Sequence, residues 1–174
     1  VHTAEPCNAE APVAMLGDPY ITPTELWYVR NHHPVPLDEG DAHKFSVTTD
    51  NGAEVSLSVA DLKKNYARTT VTATMQCSGN RRGHMNQYGK TSGTAWGSGA
   101  ASTAEWAGVP LRVVVADLLF KDKSTPLTSA KALGAKHVIF EAKDDMQASV
   151  PVEKALSELG DCMLAYEMNG APIP

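Results

Sequence analysis

The chain is short of paired cysteines, of long apolar runs and of basic charge, and each shortage excludes something. Its three cysteines, Cys7, Cys77 and Cys162, stand far apart and form no Cys-x-x-Cys pair. That argues against a disulfide framework and gives a protein-only zinc site little support. No apolar run approaches the roughly 18–20 residues of a membrane-spanning helix. Lys and Arg number 15 against 20 Asp and Glu, for a net charge of −5, which disfavours nucleic acid and anionic membrane surfaces as partners. The opening VHTAEPCNAEAP lacks the basic-then-apolar layout of a signal peptide. No internal repeat or low-complexity tract is present. What is there is a chain of 174 residues, 43% hydrophobic, enough for a core within one domain over 1–174.

Local signals predict an α+β domain with mixed strand pairing. Residues 1–20, rich in Pro and Ala, read as an extended N-terminal segment. In TPTELWYVR, Thr22 falls at a helix N-cap, Pro23 at the first helical position and Glu25 at the third, the pattern of a short capped helix. Asn31-His32-His33-Pro34 ends it, because the residue before a proline avoids the helical region. KFSVTTDNGAEVSL predicts a hairpin with Phe45 and Val47 on one arm, Val55 and Leu57 on the other, and Asp50-Asn51-Gly52 between. Ser58 caps a helix whose Val59, Leu62 and Tyr66 share one side. Val71, Ala73 and Met75 alternate with Thr72, Thr74 and Gln76, predicting a half-buried strand over 70–76. Pro110 opens a helix through PLRVVVADLLF, and AKHVIFEA reads as a strand. Pro151 starts a helix stopped by Gly160, and CMLAYEM reads as a buried strand ending in an Asn169-Gly170 turn. Only four residues follow that turn, so the last strand is expected to lack a partner and the chain to be part of a larger domain.

The functional content concentrates in VTATMQCSGNRRGHM, residues 71–85. A lone thiol, Cys77, stands at the mouth of a strand, followed by a Ser-Gly-Asn turn and then Arg81 and Arg82. Cations nearby favour the thiolate, a soft metal ligand; equally, a free cysteine fills core space. The tract over 83–103 carries Gly83, Gly89, Gly93, Gly97 and Gly99 around Trp96. It reads either as plain loop or as backbone wrapped closely around a ligand. Composition and spacing leave both pairs of readings open.

Three separated motifs narrow them. TATMQCSGNRR, TPTELWYVRNHHPVP over 22–36 and LAYEMNG over 164–170 resemble the molybdopterin domain of the sulfite oxidase family, which includes animal and plant sulfite oxidases and eukaryotic assimilatory nitrate reductases. The resemblance runs from about Asn8 to Pro174 and implies a mixed-sheet α+β molybdopterin-binding fold. It implies Cys77 as the protein's thiolate ligand to molybdenum, beside the dithiolene sulfurs of the pterin. It further implies Tyr28, Val29, Arg30, Asn31 and His32 as the segment holding the pterin and its phosphate, and Asp144 in FEAKDD as another cofactor contact. Arg30 and Arg82 would draw a small oxyanion to the metal, with Trp96 as the pocket's aromatic wall. His33, His84 and His137 read as turn or surface positions, and Cys7 and Cys162 as bystanders.

The implied activity is oxidation of sulfite to sulfate by oxo transfer at molybdenum, with electrons passing to a haem protein or another acceptor. The alternatives are an assimilatory nitrate reductase domain and a non-catalytic assembly subunit derived from the fold. An organelle such as the mitochondrion goes with a sulfite oxidase, the cytoplasm with a nitrate reductase. The family pattern continues beyond EMNG with an Asp-His-Gly stretch, further basic contacts, an active-site tyrosine and a dimerisation domain. The domain is therefore expected to be incomplete at its C-terminus, with a second polypeptide or a missing segment completing it. PYITPTELWYVRNH is similar to plant sulfite oxidases and STAEWAGVPL to nitrate reductases, while Ser92-Gly93 stands where animal sulfite oxidases carry Lys-Gly.

Overall fold

Where the sequence alternates, the backbone extends, and at Ser58 a capping hydroxyl starts a helix. The computed structural model describes all residues except 18, 38, 50, 51, 53 and 120–133. In chain order the elements are β1 (Asn8–Ala9), β2 (Val29–Arg30), β3 (Lys44–Thr48), β4 (Glu54–Ser58), α1 (Val59–Asn65), β5 (Thr69–Gln76) and α2 (Arg82–Met85). Then come β6 (Ala101–Pro110), α3 (Leu111–Leu119), β7 (His137–Glu141), β8 (Gln147–Pro151), α4 (Val152–Ala155), β9 (Met163–Met168) and β10 (Ala171–Pro172). Among the described residues, β1–β2, β3–β4 and β7–β8 are antiparallel pairs, and a four-stranded sheet has the order β10-β9-β6-β5. This is the α+β class that the sequence predicts. No helix among the described residues is long and apolar enough to cross a membrane.

The chain divides into two compact units, residues 1–36, 72–106 and 168–171 forming one, and 37–71, 107–167 and 172–174 the other. In the second, Phe45 pairs with Leu57 and Val47 with Val55, the predicted hairpin register; its turn residues Asp50 and Asn51 lie outside the described residues. Ser58 caps α1 as expected. Its hydroxyl accepts the Asp61 N–H at 3.1 Å, and Asp61 accepts the Ser58 N–H at 2.9 Å, a reciprocal capping box. Leu62 is 2% exposed and packs with Val109, Val114 and Tyr166, with Val59 and Tyr66 against the same cluster. Leu111 and Val115 of α3 join Val152, Ala155 and Leu156, with Val138 and Phe140 packed on them. Two adjoining apolar sets therefore surround one helix, each fully buried side chain contributing about 1.5–3 kcal/mol. The final residue expected in that helix, Phe120, lies outside the described residues.

Four expectations need correction. Thr22 does not cap a helix; its Oγ1 accepts the Thr103 N–H at 3.1 Å and its own N–H donates to the Thr103 carbonyl at 2.8 Å. With that hydroxyl engaged, only a 3-10 turn over Thr24–Leu26 forms, and Pro23 precedes it. The N-terminal segment is not all extended coil, since Asn8–Ala9 is a strand and Val13–Met15 a 3-10 turn. The helix expected to run to Gly160 stops at Ala155, and Gly160 folds back so closely that a Cβ there would lie 2.2 Å from the Lys154 carbonyl oxygen. Finally, β9 is buried only at Tyr166 and Met168, and it has partners. Asn169 and Gly170 take φ of 52° and 79°, a tight reversal that returns the chain as β10, with the Ile173 N–H on the Tyr166 carbonyl at 3.3 Å.

One glycine in β6 is required by packing. A Cβ on Gly108 would lie 2.1 Å from the Leu164 carbonyl oxygen. Gly108→Ala is expected to cost on the order of 1–3 kcal/mol in urea denaturation, as overpacking does, whereas Ile139→Ala, at a side chain 62% exposed, should change stability by about 0.5 kcal/mol or less.

Candidate functional site

Cys77 follows directly on β5. Its N–H donates to the Ala100 carbonyl at 3.0 Å, which ties the exit of β5 to the residue preceding β6. The chain then tightens around the sulfur: the Asn80 N–H reaches the Cys77 carbonyl at 2.9 Å, and the Gly79 N–H reaches Cys77 Sγ at 3.4 Å. The sulfur is half-buried with a backbone donor already directed at it. Arg81 adopts a left-handed φ of 66°, a conformation that costs a non-glycine residue on the order of 1–2 kcal/mol. Its N–H is fixed on the Gly97 carbonyl at 2.7 Å, and the Gly83 N–H on the Trp96 carbonyl at 2.8 Å. Asn80 Oδ1 closes the seam by accepting the Ala100 N–H at 3.1 Å. The glycine-rich tract is thus laid along residues 77–83 by hydrogen bonds.

Arg82 turns inward from this seam. Its Nη1 donates to the Thr94 carbonyl at 2.9 Å. The guanidinium passes so near two glycines that a Cβ would lie 2.7 Å from Nη1 at Gly79 and 2.8 Å at Gly93. Gly93 also has φ +100°, so both its conformation and its small size are used. Gly79, which touches the sulfur, therefore also touches the guanidinium.

Behind Cys77 lies an aromatic cluster. Tyr28, Trp96 and Ala100 are its buried members, with Trp27 and Cys77 packed against them. The Tyr28 and Trp96 rings meet edge to face, centroids 6.4 Å apart. Burial pushes the Tyr28 phenol above its ordinary pKa, and charge on the neighbouring Cys77 sulfur pushes the same way. Trp96 is 0% exposed, yet its Nε1 has no hydrogen-bond partner among the described residues. An orphaned buried donor costs about 1–3 kcal/mol, and an added acceptor would relieve it.

Arg30 and Asn31 are held from the N-terminal segment. Asn8, 3% exposed, opposes Arg30 in the β1–β2 pair. Its Oδ1 accepts the Asn31 N–H at 3.0 Å and Arg30 Nη1 at 3.2 Å, while Asn31 Nδ2 donates to the Cys7 carbonyl at 2.9 Å. Arg30 also donates to the Asn31 carbonyl. Among the described residues, no group of three or more His, Cys, Asp or Glu could by itself hold a metal ion.

With this geometry in place, comparison with known proteins decides the family. The family described as "Oxidoreductase molybdopterin binding domain" matches residues 32–174. The chain belongs to it. It is 39% identical to the sulfite oxidase of Gallus gallus over 100% of its own length and 38% of that protein's. It is 35% identical to the sulfite oxidase of Arabidopsis thaliana, covering 98% of itself and 44% of that enzyme. Identity to nitrate reductase [NADH] 2 of Phaseolus vulgaris is 34%, over 97% of this chain and 19% of the reductase. The crystal structure of the sulfane dehydrogenase SoxCD from Paracoccus pantotrophus shares the fold, with TM-score 0.67 and 24% identity over 90% of this chain and 37% of that one. The chain thus spans less than half the length of these relatives.

Of the residues singled out from sequence, Tyr28, Cys77 and Trp96 share one cluster, and Arg82 reaches the turn that cradles the sulfur. Arg30 and Asn31 share the Asn8 acceptor, Val29 is 40% exposed on β2, and His32 follows as an exposed residue. Asp144 belongs to the other unit, in the turn between β7 and β8, where its Oδ1 accepts the Met146 N–H at 3.3 Å. Sequence reasoning missed Asn8, Glu10 and Asn80, whose polar atoms hold the site backbone. Asn80 in the Cys-Ser-Gly-Asn turn was the most findable; Asn8 and Glu10 were hidden in a stretch that reads as coil. Asn8→Ala would strand the Asn31 N–H and one Arg30 donor, and should lower stability to urea by about 1–3 kcal/mol; Val29→Ala, two-fifths exposed beside it, should stay within about 0.5 kcal/mol.

Proposed function

We propose that this chain is the Cys77-bearing part of a molybdenum-cofactor oxidoreductase that oxidises sulfite. The observation that carries the proposal is the placement of one half-buried sulfur. Cys77 Sγ sits in a turn that gives it a backbone N–H, packs it on Tyr28 and Trp96, and brings the Arg82 guanidinium against the same glycine. The donor set fits the cofactor: a single soft thiolate suits a metal whose other sulfur ligands arrive with the pterin. The orphaned Trp96 Nε1 adds a buried donor that an acceptor could engage. Bound at this position, the cofactor would supply two-electron oxo-transfer chemistry and pass the electrons to a haem or another acceptor.

The chain's own side chains would bind and orient. Tyr28, Val29, Arg30, Asn31 and His32 would hold the pterin and its phosphate, and Cys77 the metal. Arg30 and Arg82 would gather the oxyanion. An anion loses hydration on entering a partly buried site, and fixed positive charge must offset that loss. Guanidinium suits the task better than ammonium because its planar, permanently charged fork donates to two oxygens at once. Sulfite is preferred over nitrate because identity to the Gallus gallus sulfite oxidase, 39%, exceeds the 34% to the Phaseolus vulgaris nitrate reductase.

Cys77→Ser in the full protein tests the assignment. A hydroxyl of similar volume keeps the turn but not the soft ligand. Sulfite turnover is expected to fall by at least about a thousandfold, a loss on the order of 4 kcal/mol of barrier lowering, with far-UV circular dichroism unchanged. Turnover at the wild-type rate would refute the role of Cys77, and faster steady-state turnover of nitrate than of sulfite by the wild type would reassign the substrate.

A further inference from the structure

Glu10 stands two residues after Asn8, and both side chains reach back to the site. The Glu10 carboxylate is only 14% exposed. Oε1 accepts the Gly97 N–H at 2.6 Å and Oε2 the Gly99 N–H at 2.7 Å, and His2 Nε2 lies 2.7 Å from Oε1. The two glycines form a cradle: a Cβ on Gly97 would lie 3.1 Å from Oε1, and one on Gly99 would lie 2.6 Å from the Ala11 carbonyl. His2 also meets Trp96 edge to face, centroids 4.9 Å apart. Trp96 immediately precedes the first of the two bonded amides, in the same turn. From that turn hang the Arg81 N–H, on the Gly97 carbonyl, the Gly83 N–H, on the Trp96 carbonyl, and the Cys77 N–H, on the Ala100 carbonyl.

We propose that Glu10 is a positioning residue: its carboxylate, clasping the Gly97 and Gly99 amides, sets the path of the 96–100 turn and through it the placement of Trp96 and Arg82. A carboxylate is required because each oxygen faces a donor. Glutamine can offer an oxygen to one amide only and must turn its NH2 toward the other, donor against donor. Burial pushes the Glu10 carboxyl up, but hydrogen bonds from the Gly97 N–H, His2 and the Gly99 N–H more than offset it, and the group lies below its ordinary value of 4.5. A depressed carboxyl stabilises the clasp above about pH 4.5 and loses it as the pH falls through the folded-state value. His2 is the titratable side chain bonded to Glu10 among the described residues.

The test is Glu10→Gln in the full protein, without and with cofactor, reading the tryptophan signal lost in a Trp96→Phe variant. The folded variant is expected to show an altered Trp96 near-UV signal without cofactor. With cofactor, KM for sulfite should rise by about tenfold with a smaller change in kcat, because Arg82 is displaced rather than removed. Wild-type protein should lose its Trp96 signature in a transition centred below the ordinary carboxyl value of 4.5, while Glu10→Gln shows no such transition. A folded variant with the wild-type Trp96 signal and KM overturns the proposal, and so does one that merely melts at a lower temperature. Should Glu10→Gln fail to fold, the wild-type titration decides, a flat Trp96 signal down to acid unfolding being the contrary result. Only the kinetic arm rests on sulfite oxidation; absence of sulfite turnover in wild type would sink that reading and leave the spectroscopic arm to decide on Glu10.

Discussion

The hydrogen bond from the Cys77 N–H to the Ala100 carbonyl, 3.0 Å long, is the constraint on which the site depends. It joins the end of one strand to the threshold of the next, so the sulfur is delivered at a fixed point. The next contacts in the seam, Arg81 to Gly97 and Gly83 to Trp96, keep the glycine-rich tract beside the residues that follow the thiol. Without that registration Trp96 would have no reason to be fully buried, and Arg82 no channel between Gly79 and Gly93. Backbone bonds, not side-chain pairs, do most of the placing, which suits a site whose own side chains must stay available to a ligand.

The electrostatics are local. The chain is acidic as a whole, with a net charge of −5, so its surface as a whole repels small anions. Under the proposed function, attraction would come from the few cations held in place, and Arg82 and Arg30 are held through carbonyl and amide oxygens rather than through carboxylates. Each guanidinium therefore keeps its positive charge uncancelled by those partners. A carboxylate in either position would have satisfied the arginine and neutralised it. Nearby, the Glu10 carboxylate, which is tied into the seam, is turned onto backbone amides.

Much of this was legible in the residues. The alternation at Val71 and Ala73 gives the strand, the Ser58 hydroxyl gives the start of α1, and Phe45 opposite Leu57 gives the hairpin register. Cys77 and the arginines stood out because chemistry-bearing residues cluster there. What could not be read depended on partners distant in sequence. Thr22 carries every local mark of a helix cap, but its hydroxyl is taken by Thr103, 81 residues away. Glu10 looks like one acid in a Pro/Ala-rich coil, and only its amides, 87 and 89 residues on, disclose a task. Local propensity has no term for such contacts. The return of the chain after Asn169-Gly170 was misjudged for a simpler reason: a two-residue β10 suffices to give β9 a neighbour.

X-ray absorption at the molybdenum edge of the loaded full protein counts sulfur neighbours and so tests directly whether one protein sulfur joins the metal. About three sulfur neighbours per metal are expected in the wild type, falling by about one in Cys77→Ser. An unchanged sulfur shell in that variant, or a wild-type shell containing only the cofactor's own sulfurs, would contradict the role of Cys77.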